Sequence, residues 1–384
     1  MRQNTDPISG GGKLDVRQTP DVATRPLRQD GRIKEKYDAL GGVAALGEPV
    51  DKTIGQIWTL PDGKCICYDD HSSAAYLVHG AIYQKWVEVG GLNYGAPSTD
   101  ELPTPDGVGR FNHFNGGTAS IYWTPETGAH AIYGDIRKLW SELGWETSYL
   151  GYPTSDEQNF PEGGRANSFQ HGDICWWPDT GAKHLGDVVL HFTGFYCFRE
   201  TGEDAGTGAD ETYAVLGVFT PVGQNRVTTR VYEGVNSNHS QPDSIELWRG
   251  RPYGMEINIH LMEHDFGDVS EDRKNMEEAF RMAHDEGVKA LKSIPVVGPI
   301  VAVAADALLG KVVPELGGAF FDLFDLGDDT IGRTNMRVSA RDMVLTATRP
   351  EGNSEFHGIG YRIESPFLNG NGGSYKLYFG LVPA

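Results

Sequence analysis

The chain has 384 residues, too many for one ordinary hydrophobic core, and this length predicts two or three domains. Its 50 glycines and 16 tyrosines, with few long helical patterns, favour short strands joined by many turns. The formal net charge of −20 repels phosphate backbones and argues against nucleic-acid binding.

The four cysteines are too few for a disulfide scaffold and lack the paired CxxC spacing of a zinc ribbon. They leave the redox compartment open. The first residues contain no apolar run of secretory length. The chain is therefore intracellular, exported by another route or already trimmed.

Residues 1–30 show no periodicity and predict a flexible arm. Three tandem repeats follow, which we place at 31–79, 80–133 and 134–186. Each opens with a helical pattern that ends at glycine: GRIKEKYDALGG, GAIYQKWVEVGG and GDIRKLWSELG. Each then reaches a short turn sequence, seen as LGEP, YGAP and LGYP.

The second halves of the units repeat as well. GRFNHFNGG at Gly109 corresponds to GRANSFQHG at Gly164, and the triplets ICY, IYW and ICW begin at Ile66, Ile121 and Ile174. TGAH at Thr127 corresponds to TGAK at Thr180. A period of about fifty residues with one helix and short strands predicts a modular array whose units bury their faces on their neighbours.

These landmarks resemble the LGFP repeat family over about residues 31–186. The resemblance implies a module of bacterial envelope and secreted proteins, with units arranged like propeller blades around an axis and anchored to cell-wall glycans. It therefore implies an extracellular or cell-surface location. The first unit is the weakest match, because it lacks the Arg-x-x-x-Phe step and the TGAH sequence.

Aromatic and polar residues of the repeats are candidates for sugar contacts, because aromatic faces stack on sugar rings. Trp86 and Trp140 occupy equivalent helix positions and are predicted to be core. Arg110 and Arg165 are predicted to brace a turn through a carboxylate such as Asp100 or Asp156. The candidate ligand-binding residues are Tyr122, Trp123, His130, His171, Trp177 and Lys183.

Residues 187–384 predict an antiparallel β-sandwich of about eight strands, with apolar and polar residues alternating from Met255 to Met262. A helical insertion is predicted at 270–325. Its apolar run from Ile294 to Leu309 is 16 residues long, shorter than the roughly 20 that cross a bilayer. A pair of buried helices and a membrane-entering hairpin are both compatible with this insertion.

Three acidic segments are predicted to gather at one end of the sandwich. Carboxylate-rich flexible loops suit calcium, which takes six to eight oxygen ligands. Solvated loops that keep the protein soluble are the alternative. The candidate ligands are Glu200, Glu203, Asp204, Asp210, Glu211, Glu263, Asp265, Asp268, Asp325 and Asp328.

The sequence carries no GxSxG elbow, phosphate-binding loop or dinucleotide fingerprint. We therefore predict a non-enzymatic protein that binds glycans of the cell wall, with calcium as a possible cofactor. Two alternatives stay open. The first is a membrane-active protein that uses the apolar insertion, and the second is a hydrolase whose catalytic residues are dispersed in the chain.

Overall fold

A computed structural model describes residues 24–52, 55–202, 209–264, 301–303 and 330–384. The chain divides into two compact units. Unit 1 comprises Met1–Pro103 and Arg110–Ile121, and unit 2 comprises Thr104–Gly109 and Tyr122–Ala384. The described part is mainly β, with antiparallel sheets that do not close on themselves.

Five α-helices have both ends within the described residues, and four of them belong to the repeat region. They are α1 (Thr24–Ala39), α2 (Gly42–Leu46), α3 (Gly80–Glu88), α4 (Gly134–Leu143) and α5 (Ala340–Ala347). The predicted flexible arm at 1–30 was wrong at its end, because α1 already begins at Thr24. Residues 1–23 lie outside the described residues.

Unit 1 contains the first repeat and the beginning of the second. Its strands are β1 (Ile57–Leu60), β2 (Lys64–Asp69), β3 (Ala74–His79), β4 (Leu102–Pro103), β5 (Arg110–Phe114) and the first half of β6 (Ala119–Thr124). β1, β2 and β3 form one antiparallel sheet in that order. Helix α1 covers this sheet because Ile33 and Tyr37, four residues apart on one helical face, pack with Trp58 and Ile66.

Unit 2 contains the rest of the repeat region. Its strands there are β7 (Gly128–Tyr133), β8 (Gln158–Phe160), β9 (Gly164–Phe169), β10 (Gly172–Trp177) and β11 (Gly181–Leu185). β8 to β11 form an antiparallel sheet in the order β11-β10-β9-β8. Helix α4 buries Ile136 and Trp140 on its inner face.

The predicted core positions of the two equivalent helices are confirmed. Trp86 and Trp140 are 2% and 0% exposed. The Trp86 indole N–H donates to the Gly95 carbonyl at 2.9 Å, which ties α3 to the turn that follows it. The blade-like arrangement of the repeats around an axis stays a prediction.

The C-terminal part of unit 2 forms two antiparallel sheets that pack face to face, so the predicted sandwich is confirmed at this level. One sheet has the order β16-β12-β23-β21, with β22 also paired to β23, and the other has the order β14-β13-β17-β18, with β15 also paired to β13. A separate hairpin pairs β19 with β20. The strands are β12 (Val188–Arg199), β13 (Asp210–Thr220), β14 (Gly223–Thr228), β15 (Tyr232–Val235), β16 (His239–Gly250), β17 (Met255–Glu263), β18 (Thr330–Val338), β19 (Ser354–Phe356), β20 (Ile359–Tyr361), β21 (Ile363–Glu364), β22 (Leu368–Gly370) and β23 (Gly373–Pro383).

Among the strands of the predicted sandwich, the sequence pattern places one at Met336–Thr348 (MRVSARDMVLTAT), and the structure contradicts its second half. The strand β18 stops at Val338, and α5 begins two residues later. The hydroxyl of Ser339 accepts a hydrogen bond from the main-chain N–H of Asp342 at 3.1 Å. This N-cap satisfies a helix donor that would otherwise lack a partner, and it starts the helix.

The predicted helical insertion at 270–325 lies outside the described residues apart from 301–303, which are helical. Val301 and Ala302 are buried in the sandwich core. No helix in the described part of the chain is long and apolar enough to span a membrane.

The third repeat and the sandwich share one hydrophobic core. Phe160, Cys175 and Trp177 of the repeat belong to the same buried cluster as Val188 and Leu190 of β12. Only Gly186 and Asp187 separate β11 from β12. The sequence change at residue 187 therefore lies inside a continuous core.

Candidate functional site

Consecutive repeats are joined by an aspartate and an asparagine that hold the main chain of the preceding repeat. In unit 1, a carboxylate oxygen of Asp100 accepts the main-chain N–H of Leu77 at 2.8 Å. The side-chain amide of Asn112 donates to the Leu77 carbonyl at 3.4 Å and to the Thr99 carbonyl at 2.9 Å. Both main-chain groups of Leu77, on the edge strand β3, are thereby satisfied.

Unit 2 repeats this arrangement with equivalent residues. Asp156 accepts the main-chain N–H of Ala131 at 2.8 Å. Asn167, which is fully buried, donates to the carbonyls of Ala131 and Ser155 at 3.2 and 3.0 Å. We call each such pair, Asp100 with Asn112 and Asp156 with Asn167, an Asp–Asn clamp.

The turn of the LG-x-P sequence positions the clamp, because the aspartate follows its proline by three residues. The turn glycines have positive φ, +132° at Gly95 and +71° at Gly151. A Cβ atom at Gly95 would lie 2.9 Å from the main-chain N of Asn115. Glycine is therefore required here by both backbone conformation and close approach.

The first repeat has no clamp at the corresponding positions. Lys52 stands where the other repeats have aspartate, and Trp58 stands where they have asparagine. The two side chains contact each other, with the Lys52 ammonium 4.1 Å from the centre of the Trp58 ring. The Trp58 indole also donates to Asp30 at 2.5 Å. The first repeat therefore lacks, at these two positions, the side chains that clamp a preceding strand in the other repeats.

The two arginines that were predicted to brace the turns through a carboxylate lie beside glutamates. Arg110 lies 3.9 Å from Glu101, and Arg165 lies 3.8 Å from Glu157. A carboxylate partner is thus confirmed for both arginines, one residue further along the chain than the aspartates named as examples, and those aspartates accept main-chain N–H groups of the preceding repeat.

A cleft of about 430 Å³ lies in unit 2 beside the second clamp, where the third repeat meets the sandwich. We call it the junction cleft. Most of its side chains are polar, and they come from the second repeat, the third repeat and the loop before β17. They are His130, Thr154, Ser155, Asp156, Gln158, Ser168, Phe169, Asp173, Arg251 and Tyr253.

The inner end of the junction cleft is a buried hydrogen-bond network around Asp173. This carboxylate accepts the Ser168 hydroxyl at 2.5 Å and the Tyr253 hydroxyl at 3.2 Å, and the Arg251 guanidinium lies 3.6 Å away. Burial raises the pKa of Asp173, while Arg251 and the two hydroxyls oppose that rise. The network fixes polar groups where the repeat meets the sandwich.

The outer end of the cleft carries less buried groups. His130 donates from Nε2 to the Thr127 carbonyl at 2.8 Å, and its Nδ1 lies 3.6 Å from Asp156. Thr154 is exposed and Gln158 is half-buried. The cleft thus offers hydroxyl, amide, imidazole and charged groups together, which suits a ligand rich in hydroxyls.

The structure brings one predicted ligand residue, His130, into this cleft and places the other five elsewhere. Tyr122 and Trp177 are 3% and 1% exposed. The Tyr122 ring packs edge-on against Trp140, and the Trp177 indole donates to the Pro161 carbonyl at 3.0 Å. Burial raises the pKa of Tyr122.

Trp123, His171 and Lys183 are more accessible. Trp123 and Lys183 are half-buried, and His171 is exposed in the turn between β9 and β10. None of the three lines the junction cleft. Sequence reasoning missed Asp173, Arg251 and Tyr253 as residues of the cleft. The available signal was that the third repeat has Asp173 at the position where the second repeat has Ser120.

Four of the ten predicted calcium ligands lie within the described residues. Glu200 is half-buried and accepts the main-chain N–H of Ser237 at 2.8 Å. Asp210 is 1% exposed and accepts from the main chain and hydroxyl of Thr201 at 2.9 Å, as well as from the Tyr375 hydroxyl. Its oxygens are thus already occupied.

Glu211 and Glu263 lie at the same end of the sheet, since Glu263 pairs with Thr212. The remaining six lie outside the described residues: Glu203, Asp204, Asp265, Asp268, Asp325 and Asp328. Among the side chains that the structure describes, no group of three or more His, Cys, Asp or Glu is placed to hold a metal ion. Calcium binding stays a prediction.

The fold defines a modular repeat protein whose last unit is built onto a β-sandwich. The family model of the LGFP repeat matches residues 95–148 and 150–190, so this part of the chain consists of two tandem LGFP repeats. The C-terminal domain has no family assignment. A search of curated proteins found no match to the chain.

The matched segments begin at or beside the LG-x-P turn and not at the helix. The first segment contains the strands of the second repeat and the helix of the third. The first repeat lies outside both segments, in agreement with its missing clamp. LGFP repeats are usually found in cell-surface proteins.

Proposed function

We propose that this protein binds glycans at the cell surface and that the junction cleft is a sugar site. The polar lining of the cleft is the observation that carries the proposal. Ligand pockets of roughly 300–1,000 Å³ combine apolar surface with a small number of placed polar groups, and this cleft places hydroxyl, amide and charged side chains within such a surface. Sugar hydroxyls both donate and accept hydrogen bonds, so such a lining matches them.

The arrangement of the polar groups supports orientation of a bound sugar. Asp173 and Tyr253 are held by their mutual hydrogen bonds, so they would lose little freedom on binding. Thr154 is exposed and Gln158 is half-buried, and their side chains carry donors and acceptors that match sugar hydroxyls. A fixed inner end and more exposed outer groups favour selective binding of a polyhydroxylated ligand.

The proposal is tested with the full chain and insoluble cell-wall polysaccharide in a sedimentation assay. We expect retention of the wild type and roughly thirtyfold weaker binding of the double variant T154A/Q158A, because two lost hydrogen bonds of about 1 kcal/mol each sum to about 2 kcal/mol. The variant Q224A is the control, since Gln224 is exposed on β14, outside the cleft.

Two outcomes contradict the proposal in different ways. Unchanged binding by T154A/Q158A would show that the sugar binds elsewhere on the protein. Lack of retention of the wild type on any polysaccharide tested would count against glycan binding itself.

A further inference from the structure

The two Asp–Asn clamps predict where a further repeat would attach. Each clamp holds one residue of the last strand of the preceding repeat, Leu77 or Ala131. Leu77 lies opposite Ile66 in its sheet, and His184 lies opposite Ile174, which begins the equivalent triplet of the third repeat. His184 also follows Thr180 by four residues, as Ala131 follows Thr127. His184 is therefore the third member of this series.

The main chain of His184 is open in the part of the molecule that the structure describes. β11 is an edge strand, with β10 on one side only. By equivalence with Leu77, the N–H and C=O of His184 point away from β10. No described residue beyond this sheet is hydrogen-bonded to them. The His184 imidazole faces Tyr149, with Nδ1 2.9 Å from the Tyr149 hydroxyl, and the residue is half-buried.

We propose that the outer edge of β11 at His184 is a docking site for an LGFP-type repeat of another protein that presents a free Asp–Asn clamp. The chemistry follows from the two clamps already described. A carboxylate would accept the His184 N–H, and a side-chain amide would donate to its carbonyl. Because the clamp holds main-chain atoms at this position, the imidazole does not need to match.

A second copy of this chain cannot supply the clamp. Its first repeat carries Lys52 and Trp58 at the required positions, and the clamps of its second and third repeats already hold Leu77 and Ala131. The partner is thus a separate chain whose leading LGFP-type repeat has both the aspartate and the asparagine. This inference is independent of sugar binding in the junction cleft.

Hydrogen exchange resolved to single amides tests the open edge in the wild-type chain. We expect the amides of Leu77 and Ala131 to exchange at least about tenfold more slowly than that of His184, because a bonded amide exchanges only after local opening. Slow exchange at His184 in dilute protein would mean that the chain itself covers the edge and would overturn the proposal. Protection that grows with protein concentration would assign the edge to a second copy and would also overturn it.

Docking is tested with a chimera in which a second copy of residues 80–133 replaces residues 31–79. The grafted first repeat then carries a free clamp. We expect head-to-tail association and at least about a twofold rise in weight-average mass in analytical ultracentrifugation, while the wild type stays unassociated. Circular dichroism and a cooperative melt establish that the chimera is folded.

Two matched controls locate the contact. The chimera with Asp100→Ala and Asn112→Ala in the grafted copy should not associate. The chimera with H184P should not associate either, because proline removes the N–H but is tolerated on an edge strand whose N–H faces outwards. A folded chimera that stays unassociated, or association that survives H184P, would overturn the proposal. If the chimera does not fold, the exchange rate of the His184 amide decides alone.

Discussion

Replacing Asn167 with alanine removes the amide that joins the second and third repeats. Asn167 is fully buried and donates to the carbonyls of Ala131 and Ser155. Each lost bond costs about 1 kcal/mol, and leaving a buried carbonyl without its donor adds about 1 kcal/mol or more. We therefore expect N167A to lower the free energy of unfolding of unit 2 by about 2–4 kcal/mol.

Urea denaturation of the full chain, followed by circular dichroism, measures this loss. The variant E142A is the control, since Glu142 is exposed on α4 of the same repeat and its replacement should change stability by no more than about 0.5 kcal/mol. A loss below about 1 kcal/mol for N167A would refute the reasoning, because the carbonyls would then have found other partners.

Further predictions concern a titratable core residue, a turn, a buried hydroxyl and calcium. Burial raises the pKa of Glu256 to about 7. The folded state therefore favours the protonated acid. The free energy of unfolding of the wild type, relative to that of E256Q, should fall by up to about 3 kcal/mol as pH rises from about 4.5 to 7. A difference that does not change with pH would refute the reasoning. G95A should lower the melting temperature and cost at least about 2 kcal/mol, because its new Cβ would meet the main chain of Asn115; a neutral effect would refute this. Y152F should cost about 1 kcal/mol in urea titration, since its hydroxyl donates to Asp106 at 2.7 Å, and an unchanged midpoint would contradict it. A calcium-loaded rim predicts a higher melting temperature in millimolar calcium than in chelator, and equal values would argue against it.

The repeats could be predicted from sequence because their landmarks are backbone requirements. Gly95 and Gly151 serve left-handed turns, and the helix tryptophans Trp86 and Trp140 fill the same buried position in each unit. Residues of this kind recur at fixed spacing, because every repeat needs the same left-handed turn and a large buried ring at the same helix position. The sandwich was predictable for a similar reason, because alternation over long strands such as β17 is unambiguous.

The clamp was not predictable as a contact, although its residues were visible. Asp100 and Asp156 were assigned to the neighbouring arginines because opposite charges suggest a pair. In the structure, these carboxylates accept hydrogen bonds from main-chain N–H groups of the preceding repeat. A main-chain partner has no sequence signature, so spacing alone could not reveal it.

The candidate ligand residues illustrate a different limit. Tyr122 and Trp177 are aromatic residues on strands, and alternation decides which face each one takes. Alternation cannot decide which face of the sheet is covered by other parts of the protein. Helix α4 covers Tyr122, and the sandwich covers Trp177. The junction cleft was missed for the same reason, since Arg251 and Asp173 are 78 residues apart in the chain. Helix α5 was missed because the cap at Ser339 was overlooked within an apolar pattern.

The shared core of the third repeat and the sandwich has a mechanical consequence. Trp177 is buried in that core, and the Arg341 side chain of α5 binds Asp179 at 2.5 Å and Glu162 at 3.3 Å. With Gly186 and Asp187 as the whole connection, the third repeat cannot swivel on a tether. A polymer held beside this repeat would therefore keep a fixed angle to the sandwich. Tension along the polymer would pass directly into strand β12.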